Sequence, residues 1–219
     1  YNFQETINWP KRQHLGRGDY LPNEKDRIFV RLSAWWSDQQ GYGVAAGTGG
    51  SGWPWARLHY TFTDNAVVLN YTRVFSPSVV NEFNGGARHS VEKGPPVSQA
   101  DLERMMRDKV GFRVGQFHPE NNPYNVVPRA SFGGIPGAPS LSYDGRFPLR
   151  GADTVFDFSD NLTWIRNKHT FKFGIFIERV RNYEGERGNF AGNISFSRDT
   201  NNPFDSNHPF ANTLLGNFT

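Results

Sequence analysis

The feature of this sequence that most constrains its fold is a strict alternation of apolar and polar side chains. In FKFGIFIERVRN, residues 171–182, the side chains of one parity are apolar: Phe171, Phe173, Ile175 and Ile177. The opposite parity carries Lys172, Gly174 and Glu178. A period of two residues is that of a β-strand with one face in an apolar environment and the other in a polar one. The apolar environment is either the core of a soluble β-sandwich or the lipid of a membrane.

The same alternation recurs along the chain and predicts further strands. In residues 27–37 the apolar parity runs from Ile28 to Trp36, and Arg31 lies on the other parity. In residues 65–75 the register stays open, because apolar side chains occur at both parities. The predicted strands lie near residues 11–21, 27–37, 65–75, 79–91, 153–166, 170–183 and 188–198.

The connections between these strands alternate between short and long. Polar or proline-containing turns of a few residues follow the first, third and fifth predicted strands. The long connections are residues 38–56, 92–152 and 199–219. The second of these contains a predicted amphipathic helix with Ser98 as its N-cap, and residues 208–216 predict a short helix in the third.

Strands of about ten residues, joined by tight turns at one end and long loops at the other, are typical of a transmembrane β-barrel. A strand tilted by about 45° needs roughly 9–11 residues to cross the hydrocarbon layer. Sandwich strands average only about five or six residues, and their loops need not sort by length. We therefore expect an all-β fold that forms part of a large antiparallel transmembrane β-barrel, with long extracellular loops.

Composition supports this interpretation and excludes several classes of function. The 23 glycines, 14 prolines and 15% aromatic residues suit strands with long loops. The net charge of +3 has no basic run, so nucleic acid is not an expected partner. There is no cysteine, and the six histidines have no metal-ligand spacing. We expect no metal, no cofactor, no catalytic residues and no enzymatic activity.

Three motifs resemble one family. Residues 62–83 (FTDNAVVLNYTRVFSPSVVNEF), 160–174 (DNLTWIRNKHTFKFG) and 192–219 contain SPxxVNEF, WIRxKHTxKFG and ANxLLG segments in that order. They are similar to consecutive barrel segments of TonB-dependent outer-membrane receptors, specifically the Oar-like group, whose members carry a carboxypeptidase-regulatory-like domain. The resemblance covers most of the chain.

The resemblance implies a bacterial outer-membrane barrel of about 22 strands, of which about six or seven lie here, with a plug domain in its lumen. Such a receptor takes up a scarce ligand using force from the inner-membrane TonB complex. The chain opens on YNFQETINWPKRQ, without an initiator Met or a signal peptide. We therefore expect an internal barrel fragment that lacks the plug and the regulatory-like domain. Its implied partners are outer-membrane lipid, the remaining strands and plug, the TonB complex and an unknown small ligand.

Two groups of residues are candidates for ligand contact. Arg31, Arg88, Lys172 and Glu178 have the parity of the lumen, where they either line a ligand path or pair with one another and with the plug. The second group lies in a glycine-rich loop, where aromatic side chains either stack on a sugar or aromatic ligand or pack on themselves: Tyr42, Trp53 and Trp55. Specificity tends to reside in exposed loops on a rigid scaffold, which favours the loop group.

We expect this chain to serve in a TonB-dependent receptor and transporter, to which it contributes wall strands and extracellular loops. Two alternatives stay open at this point. The first is a soluble β-sandwich that binds carbohydrate with the same aromatic side chains. The second is a surface protein with a structural or adhesive role that is built on a barrel. It stays open because the alternation predicts wall strands but does not indicate whether anything is transported through the barrel.

Overall fold

The computed structural model describes residues 4–44, 54–138, 140–143, 147, 149–185 and 191–218. Its main element is one six-stranded antiparallel sheet. Its strands are, in order across the sheet, β1 (Lys11–Asn23), β2 (Asp26–Gly41), β3 (Leu58–Ser76), β4 (Val79–Gly94), β6 (Leu149–Arg166) and β7 (His169–Gly185). The sheet is not closed, and β1 and β7 are its edges within the part of the chain that the structure describes.

The remaining elements are short and lie in the long connections. Strands β5 (Arg129–Ser131) and β8 (Asn193–Ser195) pair in parallel. The helices are α1 (Gln99–Glu103), α2 (Arg107–Val110) and α3 (Pro209–Leu215), with one 3₁₀ turn at Pro119–Asn121. No helix among the described residues has the length and apolarity needed to cross a membrane.

The strand register places most of the apolar side chains of β2, β3, β4, β6 and β7 on one face, here called the apolar face. One row runs from Val30 through Leu69, Gly85 and Phe158 to Ile177, each residue paired with the next on the neighbouring strand. This row resolves the open register of β3. The apolar face includes Val67, Leu69 and Tyr71, whereas Val68 lies on the other side.

The apolar face packs against no second sheet in the described chain. Leu32 at the centre of β2 is 55% exposed, although β2 is flanked by strands on both sides. Phe173, Ile175 and Ile177 on β7 are also more than half exposed. A sandwich would bury this face against a second sheet, so the described chain does not form the sandwich of the first alternative.

The opposite face, here called the polar face, carries a cluster of hydrogen-bonded polar side chains around Asn70. Asn70 is only 4% exposed, and its Nδ2 donates to Glu82 Oε1 at 2.9 Å and to Asn84 Oδ1 at 2.7 Å. The Thr72 hydroxyl donates to Asn70 Oδ1 at 3.3 Å. A buried amide with these partners carries little desolvation penalty. These bonds therefore link β3 and β4 across the polar face.

Three two-residue turns lie at one end of the sheet, here called the turn end: Glu24–Lys25, Pro77–Ser78 and Asn167–Lys168. Asn167 has φ of 55°, in the left-handed region that asparagine tolerates better than most residues. The long connections all leave from the opposite end, the loop end. The predicted alternation of short and long connections is therefore observed.

The strands extend farther toward the loop end than the sequence pattern predicts. β3 begins at Leu58 and β6 at Leu149, whereas the apolar pattern placed these starts at residues 65 and 153. Pairing continues in polar sequence, where Thr61 lies opposite Lys93 and Arg150 opposite Gly185. Backbone hydrogen bonds hold these residues in the sheet. Their side chains show no apolar alternation from which the strand ends could be predicted.

The predicted wall strand at residues 188–198 is wrong in the part that the structure describes. There β8 contains three residues and pairs with β5 outside the main sheet. Ile194 and Phe196 alternate because they pack among the loops, not because they face lipid. Alternation alone cannot distinguish these two apolar environments. Residues 186–190 lie outside the described part of the chain.

The long connections pack together into a second structural unit, here called the loop layer, which has its own apolar core. The buried core residues are Val44, Trp55, Ala56, Leu58, Met105, Val126, Val127, Tyr143 and Phe147. Leu58 belongs to the polar face of β3, and Tyr60, two residues further on the same face, packs against this core. The loop layer therefore covers the polar face at the loop end of the sheet.

Both predicted helices occur in the loop layer. Ser98 caps α1, because its Oγ accepts a hydrogen bond from the Asp101 backbone N–H at 3.2 Å. α3 ends at Gly216, which has φ of 74° in the left-handed region that favours glycine.

Candidate functional site

The loop layer lines an open cavity of about 520 Å³, here called the loop cavity. Its lining is mostly apolar and comes from separate segments of the chain. Trp55 precedes β3, Phe112 follows α2, and Phe196 follows β8. Arg104, just after α1, is the only charged residue among those that line it in the described chain.

Short-range packing holds the side of the cavity formed by β5 and β8. Ala130 of β5 lies opposite Ile194 of β8, and both line the cavity. Phe132 stacks on Phe196 with ring centroids 5.7 Å apart and also contacts Phe210 of α3 at 5.4 Å. Stacked aromatic pairs of this kind stabilise a defined wall.

Trp55 is held in place by a buried tyrosine. Trp55 is 8% exposed and meets Tyr143 edge to face, with centroids 5.9 Å apart. The Tyr143 hydroxyl donates to the Val127 carbonyl at 2.9 Å. Burial raises the pKa of Tyr143 to about 12, although the positive charge of Arg129 acts in the opposite direction. Tyr143 therefore stays neutral and keeps this hydrogen bond at any physiological pH.

The polar group of the cavity is Arg104, which is exposed and directed by Tyr42. Arg104 Nη1 donates to the Tyr42 hydroxyl oxygen at 2.9 Å. Tyr42 is fixed in turn by its backbone N–H, which donates to Glu5 Oε2 at 2.8 Å. An arginine beside an apolar cavity is suited to a ligand with an apolar body and a hydrogen-bond acceptor or anionic group.

The structure brings two of the three predicted loop aromatics to this cavity. Trp55 lines it, and Tyr42 contacts its arginine. Trp53 lies outside the described residues. Sequence reasoning missed Arg104, Phe112 and Phe196. A signal existed only for Phe196, whose alternation with Ile194 was assigned to the barrel wall.

All four predicted wall residues lie on the polar face, but they are not among the residues that line the loop cavity. Arg88 makes a bidentate ion pair with Asp64, with N···O distances of 2.8 and 2.9 Å. Glu178 lies opposite Asp157 in the register. Within the described chain Arg31 and Lys172 make no ion pair.

Asp101 ties α1 to the start of β3. It is 3% exposed, accepts from the Arg57 backbone N–H at 3.1 Å, and accepts from the Ser98 hydroxyl at 2.6 Å. Burial alone would raise the pKa of Asp101, but these hydrogen bonds and the charge of Arg57 outweigh burial and lower it.

We expect the loop layer to lose stability in acid because of Asp101. Because the pKa of Asp101 is lower in the folded layer than in the unfolded chain, its charged form stabilises the folded layer. This stabilisation is fully present above the ordinary carboxyl pKa of about 4 and is lost as the pH falls through the pKa of the folded state. Asp101→Asn should destabilise the layer by about 1 kcal/mol at pH 7 and by less near pH 3. Protease resistance of the loops across this range measures it. A pH-independent difference would contradict the assignment.

A single antiparallel sheet with one lipid-compatible face, one polar face, tight turns at one end and long loops at the other is the wall of a transmembrane β-barrel. The chain matches the model of the family described as outer membrane beta barrel domain over residues 1–219. The chain belongs to this family and is an outer-membrane protein. Comparisons with curated proteins and with solved structures returned no match.

Family membership fixes the direction of the sheet. Barrels of the outer membrane have short periplasmic turns and longer extracellular loops, so the turn end faces the periplasm and the loop layer faces outward. The apolar face contacts lipid and the polar face borders the lumen. Among the described residues, no group of three or more His, Cys, Asp or Glu side chains could hold a metal ion.

Proposed function

We propose that this chain forms wall strands and extracellular loops of a TonB-dependent receptor of the Oar-like group, which takes up a scarce ligand across the outer membrane. The observation that carries the proposal is the loop cavity, which places aromatic side chains and Arg104 in the layer over the polar face. The three motifs support it. Two of them span the tight turns of β3–β4 and β6–β7, and the ANxLLG segment forms most of α3.

The proposed partners follow from the two faces of the wall. The apolar face meets outer-membrane lipid, and the edges at β1 and β7 pair with the remaining strands of the barrel. The hydrogen-bonded polar face is suited to contact with a plug domain, through which the TonB complex would act. We propose a role in binding and transport, with no enzymatic activity, no cofactor and no nucleic-acid partner.

Arg104→Gln is expected to reduce uptake by the full-length protein about tenfold or more at limiting ligand, because a charged hydrogen bond to the ligand is lost. Cells that produce the wild type or the variant would be given a defined mixture of siderophores, oligosaccharides, peptides and cobalamin. Mass spectrometry would measure the depletion of each compound, with and without an uncoupler. The matched control is Arg198→Gln, since Arg198 is an exposed arginine outside the cavity.

The outcomes separate the receptor from its alternative. Uncoupler-sensitive depletion of one compound class that falls in Arg104→Gln supports the receptor. Surface binding without energy-dependent depletion would instead support a structural or adhesive role. Equal depletion by the wild type and Arg104→Gln would contradict the loop cavity as the ligand site.

A further inference from the structure

Four cations lie on the apolar face of β4, β6 and β7 in its half nearer the loop end, and they are here called the outer basic patch: Lys93, Arg150, Arg179 and Arg181. The register places Lys93 directly opposite Arg150, and Arg179 and Arg181 follow Ile177 on the same face of β7. All four side chains are exposed. None makes an ion pair with another described residue.

The acidic residues of the same strands are on the other side of the wall. On β4, β6 and β7 the polar face carries Glu82, Glu92, Asp153, Asp157, Glu178 and Glu184. The only carboxylate on their apolar face is Asp160, which lies toward the turn end and accepts a hydrogen bond from Asn81 at 2.6 Å. The outer basic patch therefore has no anionic neighbour on its own face of these strands.

The patch lies at the outer boundary of the membrane. A strand rises about 3.3 Å per residue, and a tilt of about 40° leaves about 2.5 Å of height per residue. Phe171 begins the apolar run of β7, so Arg179 lies about 20 Å and Arg181 about 25 Å above it, which matches an apolar band about 25 Å tall. By the same measure, Arg150 and Lys93 lie about 10 Å higher than Arg181.

Cations at this depth that no described residue neutralises need an anion. Like charges directly opposite each other on a sheet, as at Lys93 and Arg150, are destabilising unless something neutralises them. The wall on β2 and β3 differs at the same end of the sheet, because His59 Nε2 pairs there with Asp38 Oδ1 at 2.8 Å. The need for an external anion is therefore local to β4, β6 and β7.

We propose that the outer basic patch binds the phosphate groups of a phosphorylated glycolipid in the outer leaflet. Its acyl chains would lie against Phe158 and Ile177, which lie below Arg179 on the same face. Its phosphates would meet Arg179 and Arg181 at the boundary. The higher pair, Lys93 and Arg150, would take an additional anionic group of the same headgroup. The inference rests on the wall alone and is independent of transport.

The test uses the full-length protein extracted in mild detergent and a lipid A that carries two phosphates as the probe. Arg179→Gln together with Arg181→Gln should weaken retention of the probe about 30-fold, since each cation near an anionic lipid surface contributes roughly fivefold. The charge-matched control is Arg166→Gln with Lys168→Gln, at the turn end of the same hairpin, and it should change retention less than about threefold. Native mass spectrometry would quantify bound lipid.

A second variant and two further probes keep the result interpretable. Arg179→Lys with Arg181→Lys keeps the charge and should keep most of the retention, which separates a charge effect from misfolding. Dephosphorylated lipid A should bind about 30-fold more weakly than the phosphorylated probe to the wild type. Equal binding of both lipids, displacement by millimolar inorganic phosphate alone, or unchanged retention in the glutamine variant would each overturn the proposal.

Discussion

Replacement of Val30 by arginine is expected to destabilise the folded barrel by about 2–4 kcal/mol, whereas the same replacement at Ser33, on the opposite face of β2, should cost less than about 1 kcal/mol. Val30 lies in the apolar run of β2, with Gly18 and Leu69 beside it. It shares a row with Ile177, so an arginine there would lie near the bilayer midplane. Ser33 points to the lumen, where water and polar groups solvate a guanidinium.

This pair of variants tests which face of the whole sheet contacts lipid, because the register of each strand is fixed by pairing with its neighbours. A slip of one residue would exchange the two faces, and Ser33→Arg would then be the destabilising variant. Denaturant titration of the full-length protein in lipid vesicles, monitored by the heat-dependent electrophoretic shift of folded barrels, gives both values. Equal costs at the two positions would contradict a lipid-facing Val30.

Met105→Ala is expected to open the loop layer locally by about 2–5 kcal/mol without unfolding the wall. Met105 is fully buried in the core of the layer. Its carbonyl accepts the Val127 N–H at 2.8 Å, and the next turn of chain is held by the Arg107 N–H to Asn125 carbonyl bond, also 2.8 Å. Truncation leaves a cavity at the point where α1 meets the segment before β5.

Hydrogen exchange resolves this effect because it reports each segment separately. Amide protection of Val127 and Arg107 should fall by about 30-fold or more, while protection within the β3–β4 pairing stays unchanged. Met106→Ala is the matched control, since Met106 is only partly buried. If protection fell equally in the strands, the loop layer and the wall would unfold as one unit.

The strands of the wall were predictable because lipid imposes a pattern on consecutive side chains. Ile28 to Trp36 and Phe171 to Ile177 alternate without help from the rest of the fold, and their tight turns have recognisable residues. β3 was ambiguous, because Val68 is apolar on the lumen side. Its register is set only by its pairing with β2 and β4, and the sequence of β3 alone does not specify that pairing.

The loop layer was only partly predictable. Ser98 marked the start of α1 through local capping chemistry. The loop cavity, in contrast, depends on Trp55, Arg104 and Phe196, which are far apart in sequence and meet only after the loops pack. The predicted wall position of Phe196 is wrong because an apolar loop core and a bilayer both favour the same alternation of apolar and polar side chains. The two environments differ in what packs against the apolar side chains, either other loop residues or lipid. The sequence of one strand does not specify which of the two it meets.

The separation of this protein into a lipid-stabilised wall and a loop layer with its own core affects how its sequence can diverge. Residues that line the loop cavity contribute to the packing of the loop layer and not to strand register. Selection for a new ligand can therefore exchange cavity side chains while the barrel keeps inserting and pairing as before. Insertions within residues 95–148 lengthen a unit that already folds around Met105, so recognition and membrane assembly are able to evolve at different rates.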